Sequence, residues 1–70
     1  MNLHVIRHAD AGDAMNWSGD DSDRPLTDLG RRQARTLGET FRRLGVSLDA
    51  VVSSPYVRTR ETAELLLEGL

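Results

Sequence analysis

Seventy residues make at most one small domain, and a chain of that size buries only about 60% of its unfolded surface. It has no cysteine, which excludes a disulfide framework and any thiolate metal site. The net charge is −2, nine basic against eleven acidic residues, which excludes the basic stripe of a nucleic-acid binder. Every basic side chain is an arginine, the residue suited to bidentate recognition of single phosphate or carboxylate groups. The N-terminus has no basic segment leading into a long apolar stretch, and no apolar run approaches membrane-spanning length. The expectation is a soluble cytoplasmic protein with neither nucleic-acid nor membrane partners.

In chain order, Leu3, Val5 and Ile6 form a short apolar, β-branched run, the pattern of a strand buried in a parallel sheet. It ends abruptly in Arg7-His8-Ala9-Asp10. In open α/β sheets ligands bind in the crevice beyond the carboxyl ends of the strands. Residues 11–25 show no periodicity and read as a long loop, of the kind that is functional or mobile. Its acidic run Asp20-Asp21-Ser22-Asp23 reads as a solvated surface. An EF-hand register started at Asp20 fails, because Pro25 and Arg31 stand where glycine and glutamate are required.

Pro25-Leu26-Thr27-Asp28 starts a helix, with Thr27 as N-cap and Asp28 placing negative charge in the first turn. Leu29, Ala34, Leu37, Gly38, Phe41 and Leu44 approximate its inner face, and Gly45 is its expected C′ residue. Gly38 within the helix implies close backbone packing, expected on the sheet. After Val46–Asp49, Ala50-Val51-Val52 reads as a second buried strand, completing a βαβ unit. A second helix is expected to open with Ser54 as N-cap and Pro55 at its first position. Its expected inner face is Tyr56, Thr59, Ala63, Leu66, Leu67 and Leu70.

A parallel unit puts both strand ends on one edge, so Arg7, His8, Arg58 and a helix N-terminus would share one crevice. Such a set suits a phosphoryl group: arginine forks neutralise its oxygens, and His8 is the natural nucleophile in a chain without cysteine. His4 reads as a strand residue and Trp17 as a packing or covering residue. Asp10 is disfavoured as a proton donor. Arg31, Arg32, Arg35, Arg42, Arg43 and Arg60 read as a solvated helix face.

Three segments carry a family resemblance. Leu3 to Ala11 resembles the Arg-His signature of the histidine phosphatase superfamily, the phosphoglycerate-mutase-like proteins. Arg24-Pro25-Leu26-Thr27 through Gln33-Ala34 resembles its Leu-Thr-x-x-Gly-x-x-Gln-Ala segment. Ser54-Pro55-x-x-Arg58-x-x-x-Thr62 resembles its Ser-Pro-x-x-Arg-x-x-x-Thr segment. The Arg-His-Ala-Asp-Ala variant and the Arg-Pro-Leu-Thr approach are most similar to SixA-type phosphohistidine phosphatases. Ala9 stands where many members have glycine.

The resemblance implies a three-layer α/β/α phosphoglycerate mutase-like fold with a parallel sheet, of which residues 1–70 supply a β-α-β-α portion. They would form the N-terminal part of a single, apparently incomplete, domain. It further implies His8 as the phosphorylated nucleophile, Arg7 and Arg58 as phosphate ligands, and Arg24 as a third contact. The implied reaction needs no metal and no cofactor. Its substrate would be a phosphorylated protein carrying phosphohistidine, or alternatively a small phosphate ester. The family's second active-site histidine lies beyond the equivalent of Leu70, so the chain alone is expected to be poorly stable and inactive, or to serve as a non-catalytic phosphate-binding module or a purely structural fragment.

Overall fold

The computed structural model describes residues 3–70. Two α-helices dominate it: α1, Asp28–Arg43, and α2, Val57–Gly69. Two single-turn 3₁₀ segments, Ala14–Asn16 and Asp21–Asp23, sit in the loop that precedes α1.

The ends of α1 follow from local chemistry. The Thr27 hydroxyl accepts a hydrogen bond from the Gly30 N–H at 3.1 Å, satisfying one of the donors a helix N-terminus leaves unpaired. At the other end Gly45 turns left-handed at φ +73°. Its N–H donates to the Arg42 carbonyl at 3.1 Å and that of Val46 to the Phe41 carbonyl at 2.9 Å, the paired bonds of a Schellman motif. The expected start of α2 is corrected. The helix begins at Val57, and Tyr56 is its N-cap without a side-chain bond. Ser54 serves a turn just ahead of the helix, its hydroxyl accepting from the Tyr56 N–H at 3.2 Å.

The helices pack directly on each other. Gly30, Ala34 and Gly38 are the buried residues of α1; Arg58, Thr62, Leu65 and Leu66 are those of α2. A Cβ on Gly38 would overlap the Leu66 backbone carbonyl, so the glycine is required by helix-on-helix contact, not by the sheet the sequence suggested. Arg31 pairs with Glu61 and Arg35 with Glu68. These contacts advance together along both helices, so α1 and α2 run parallel. The apolar core of the described residues is small: Ala11, Leu26, Ala34 and Leu65 cluster with Ala9 packed against them, and Leu66 is buried where α2 meets Gly38.

The expected inner faces are partly corrected. Leu29 and Leu44 of the first helix are exposed, as are Tyr56 and Leu67 of the second. Leu66 is buried as expected, and the rest of the buried face of α2 runs through Arg58, Thr62 and Leu65, the two polar members being buried because each has a hydrogen-bond partner in the loops.

The parallel-sheet α/β expectation is also corrected for this chain: no strand forms among the described residues. Leu3–Ile6 and Ala50–Val52 flank α2 as irregular chain, with Leu3, Val5 and Val52 largely exposed. The physical reason is cooperativity. A parallel pair is the weaker ladder, and two strands without further neighbours do not bury enough to hold it. What separates the two segments is a groove of about 750 Å³. Leu3, His4, Ile6 and His8 line it from one segment, Gly45 to Ser53 from the other, and Thr59, Thr62, Ala63 and Leu66 from α2. Parallel helices do still require the chain to run back between them. The 16 residues of α1 span about 24 Å, and residues 44–56 return that distance, as the strand of an α-β-α unit would.

Candidate active site

The Arg7–Asp10 segment is docked on α2 by one side chain. The Ala9 N–H donates to the Thr62 hydroxyl at 3.1 Å, and that hydroxyl donates to the Arg58 carbonyl at 2.7 Å. Thr62 is buried, so this relay ties the residue after His8 to the residue expected to bind phosphate. Asp10 is held on the α1 side. Its N–H donates to the Gln33 side chain, its carboxylate accepts from the Thr27 hydroxyl at 2.6 Å, and its carbonyl accepts from the Thr27 N–H at 3.0 Å. A Cβ on Gly30 would overlap the Asp10 carbonyl, which explains the small residue one turn into α1.

His8 lines the groove. Its Nδ1 lies 2.7 Å from the Ala9 carbonyl oxygen. A carbonyl only accepts, so Nδ1 carries a proton, and the neutral tautomer compatible with this contact has its lone pair on Nε2. His4 lines the same groove and packs against Phe41, ring centroids 5.6 Å apart.

Arg58 is buried, and its guanidinium is engaged by the loop. Nη1 donates to the Asp21 carbonyl at 2.8 Å and Nη2 to the Asp21 carboxylate at 3.1 Å. Its plane lies over the Tyr56 ring, 4.7 Å from the centroid. The Nε is buried without a hydrogen-bond partner among the described residues. Arg24 converges on the same turn. Its Nε donates to Asp21 at 3.1 Å, and its Nη1 donates to the Ala11 and Gly12 carbonyls at 2.7 and 3.0 Å. Asp21 therefore bridges both arginines. The Arg24 hydrogen bond, with the nearby Arg58 charge, holds its carboxyl below the ordinary aspartate range against an opposing desolvation.

The four residues expected to form the site thus fall into three sets. His8 faces the groove beside Thr59 and Thr62 of α2, whereas Arg58 and Arg24 meet on Asp21. Arg7 is exposed and makes no hydrogen bond or ion pair among the described residues. Two residues take roles that sequence reasoning did not give them. Thr62 sits one turn after Arg58, the i,i+4 spacing that puts both on one helix face. Asp21 was read as part of a solvated acidic run, and its position three residues before Arg24 was the available signal. Trp17 packs back on its own loop, its indole N–H donating to the Asp20 carbonyl at 3.0 Å.

A family profile described as the histidine phosphatase superfamily (branch 1) matches residues 3–70. The chain belongs to that superfamily. Among curated proteins it is 35% identical over 66 residues to an uncharacterized protein of Picosynechococcus sp., covering 94% of this chain and 39% of that protein. It is 40% identical over 69 residues to the mitochondrial serine/threonine-protein phosphatase Pgam5 of Drosophila virilis, and 38% identical to that of Drosophila grimshawi. These matches cover 99% of this chain and 23% of each relative. The chain therefore spans well under half the length of the proteins it resembles. No solved structure matches.

Proposed function

We propose that the protein is a phosphoprotein phosphatase that works through a covalent phosphohistidine on His8. The observation that carries this reading is the Nδ1 contact to the Ala9 carbonyl in the groove, which in the neutral imidazole puts the lone pair on Nε2. In the first step Nε2 bonds to phosphorus as the bond from phosphorus to the leaving atom breaks, and the leaving atom takes up a proton from solvent. In the second step water attacks the phosphohistidine, releasing phosphate and returning the neutral ring. Arg58, Arg7 and Arg24, the phosphate contacts the resemblance implies, neutralise charge on the transferring oxygens, and no metal enters the reaction.

The Arg7-His8-Ala9-Asp10-Ala11 and Arg24-Pro25-Leu26-Thr27 segments favour the SixA-type substrate, phosphohistidine on a protein partner in the cytoplasm. A second reading, phosphoserine or phosphothreonine in a protein, is favoured by the naming of the Pgam5 relatives as serine/threonine-protein phosphatases. In either reading residues 3–70 supply the N-terminal part of one domain.

Trapping decides the mechanism. Full-length protein quenched during turnover of a labelled phosphoprotein is expected to carry acid-labile, base-stable label on His8, absent in His8→Ala. Label kept undiminished in His8→Ala refutes it. The ratio of kcat/KM on phosphohistidine and phosphoserine peptides then separates the two substrate readings.

A further inference from the structure

The Asp21–Arg58 contact says more about the site than that Arg58 is held in place. Arg58 offers five N–H donors, and as a charged group in a buried position each one left unpaired is costly. Asp21 takes the end of the fork, through its carbonyl to Nη1 and its carboxylate to Nη2, while the buried Nε has no partner among the described residues. The fit is therefore incomplete. A carboxylate and a backbone oxygen satisfy the tip and leave the Nε edge of the guanidinium without a partner among the described residues. A tetrahedral oxyanion has enough oxygens to bridge Nε and an adjacent Nη together, the bidentate geometry arginine forms with phosphate. The Asp21 side chain is half exposed, on a single 3₁₀ turn capped by Asp20, and so sits on an element able to yield. Its other oxygen, already bonded to Arg24, gives the carboxylate a place to remain once Arg58 lets go.

We propose that Asp21 is the resident anion of the Arg58 seat: in the free protein its carboxylate occupies the guanidinium that a phosphoryl group takes on binding, and so sets the site's affinity for oxyanions. This inference rests on Arg58 being a phosphoryl ligand. It differs from a positioning role in sign, because removing a competitor strengthens oxyanion binding and removing a support weakens it.

Inorganic sulfate is the probe, since it stays a dianion across the accessible pH range. Its binding is measured by titration calorimetry on the full-length protein and on Asp21→Asn, Asp21→Ala, Asp23→Asn and Arg58→Gln, each checked for unchanged helix content by circular dichroism. Asp21→Asn keeps the size of the side chain and a weaker acceptor, and Asp21→Ala repeats the test without either. Loss of a competing ion pair at a half-exposed site predicts sulfate binding roughly threefold to tenfold tighter in both Asp21 variants. Asp23→Asn removes the same charge from the same turn without touching either arginine, and is expected to stay within about twofold of wild type. Arg58→Gln is expected to abolish binding. Equal or weaker binding in both Asp21 variants, with binding still lost in Arg58→Gln, overturns the resident-anion role and leaves the phosphatase reading standing. An equal gain in Asp23→Asn also overturns it, by reducing the effect to net charge. Sulfate binding that survives Arg58→Gln, or that is absent from wild type and both Asp21 variants, removes the phosphoryl-ligand role of Arg58 and the inference with it.

Discussion

Thr62→Val removes a hydroxyl and adds a methyl group of nearly the same size, so its consequences are those of two lost hydrogen bonds. The Ala9 N–H loses its acceptor at 3.1 Å, and the Arg58 carbonyl loses a donor at 2.7 Å. The two losses are unequal. The Arg58 carbonyl lies in the first turn of α2, where the helix ladder supplies a donor, so it keeps a partner. The Ala9 N–H is part-buried and has no second acceptor among the described residues, so it bears an unsatisfied-donor cost of about 1–3 kcal/mol. Burial of the new methyl returns at most about 0.8 kcal/mol. A net loss of roughly 1–2 kcal/mol follows, large for a protein whose described core is five small or medium side chains. Urea unfolding followed by circular dichroism should show the midpoint falling at constant slope. Because Ala9 also carries the carbonyl that fixes the His8 tautomer, phosphoenzyme formation should slow in Thr62→Val and recover in Thr62→Ser, which restores the relay. Thr62→Val matching wild type within about 0.5 kcal/mol would show that the relay contributes nothing to holding the histidine segment on α2.

Other substitutions test the packing and the charges. Gly38→Ala gains up to ~1 kcal/mol of helix propensity but drives a methyl into the Leu66 carbonyl, so it should destabilise by about 1–3 kcal/mol and reduce helix content. Thr27→Ala removes the α1 N-cap and should cost about 1 kcal/mol in the same assay, more if the 2.6 Å bond to Asp10 matters as well. For pH, the Asp21 carboxyl is depressed in the folded state. Its contribution is therefore complete above the ordinary aspartate value of about 3.9 and is lost as pH falls through the lowered one. Wild type should lose more stability than Asp21→Asn on the acid side of about pH 4, and parallel acid titration curves for the two would contradict the assignment.

What was legible in the sequence is what local chemistry decides. Thr27 and Asp28 announce the start of α1 because a hydroxyl and a carboxylate answer the unpaired N–H groups there, and Gly45 announces its end because a left-handed residue closes the last turn. Family membership was legible in three short segments for a different reason: they carry functional residue types at set spacings, independent of whether a sheet forms. The apolar runs at 3–6 and 50–52 were misleading as strands because a strand is a property of its neighbours, and the groove between these two shows neither has one. The inner face of α2 was misassigned for a related cause. An apolar-only criterion points to Tyr56 and Leu67, whereas Arg58 and Thr62 go inside once Asp21 and Ala9 offer them partners. Gly38 was understood as a close-packing residue, but one glycine cannot say whether the surface it meets is a sheet or a helix.

The placement of His8 and Arg58 then rests on two tethers of opposite character. Thr62 docks the histidine segment with neutral hydrogen bonds, one part-buried and one buried, which ionic strength and mild acid leave alone. Asp21 holds Arg58 and Arg24 through ion pairs on a half-exposed carboxylate, which salt and protonation both weaken. On the proposed mechanism, a site built this way would keep His8 fixed while Arg58 exchanges between an internal and an external anion. Raising salt should therefore loosen the 20–24 turn without releasing residues 8–10 from α2. Hydrogen exchange resolves the two: at 1 M sodium chloride the Ser22 and Arg24 amides should exchange faster while the Ala9 amide keeps its protection. Ala9 losing protection in step with the turn would mean that the ion pairs, and not the Thr62 hydroxyl, hold the histidine segment in place.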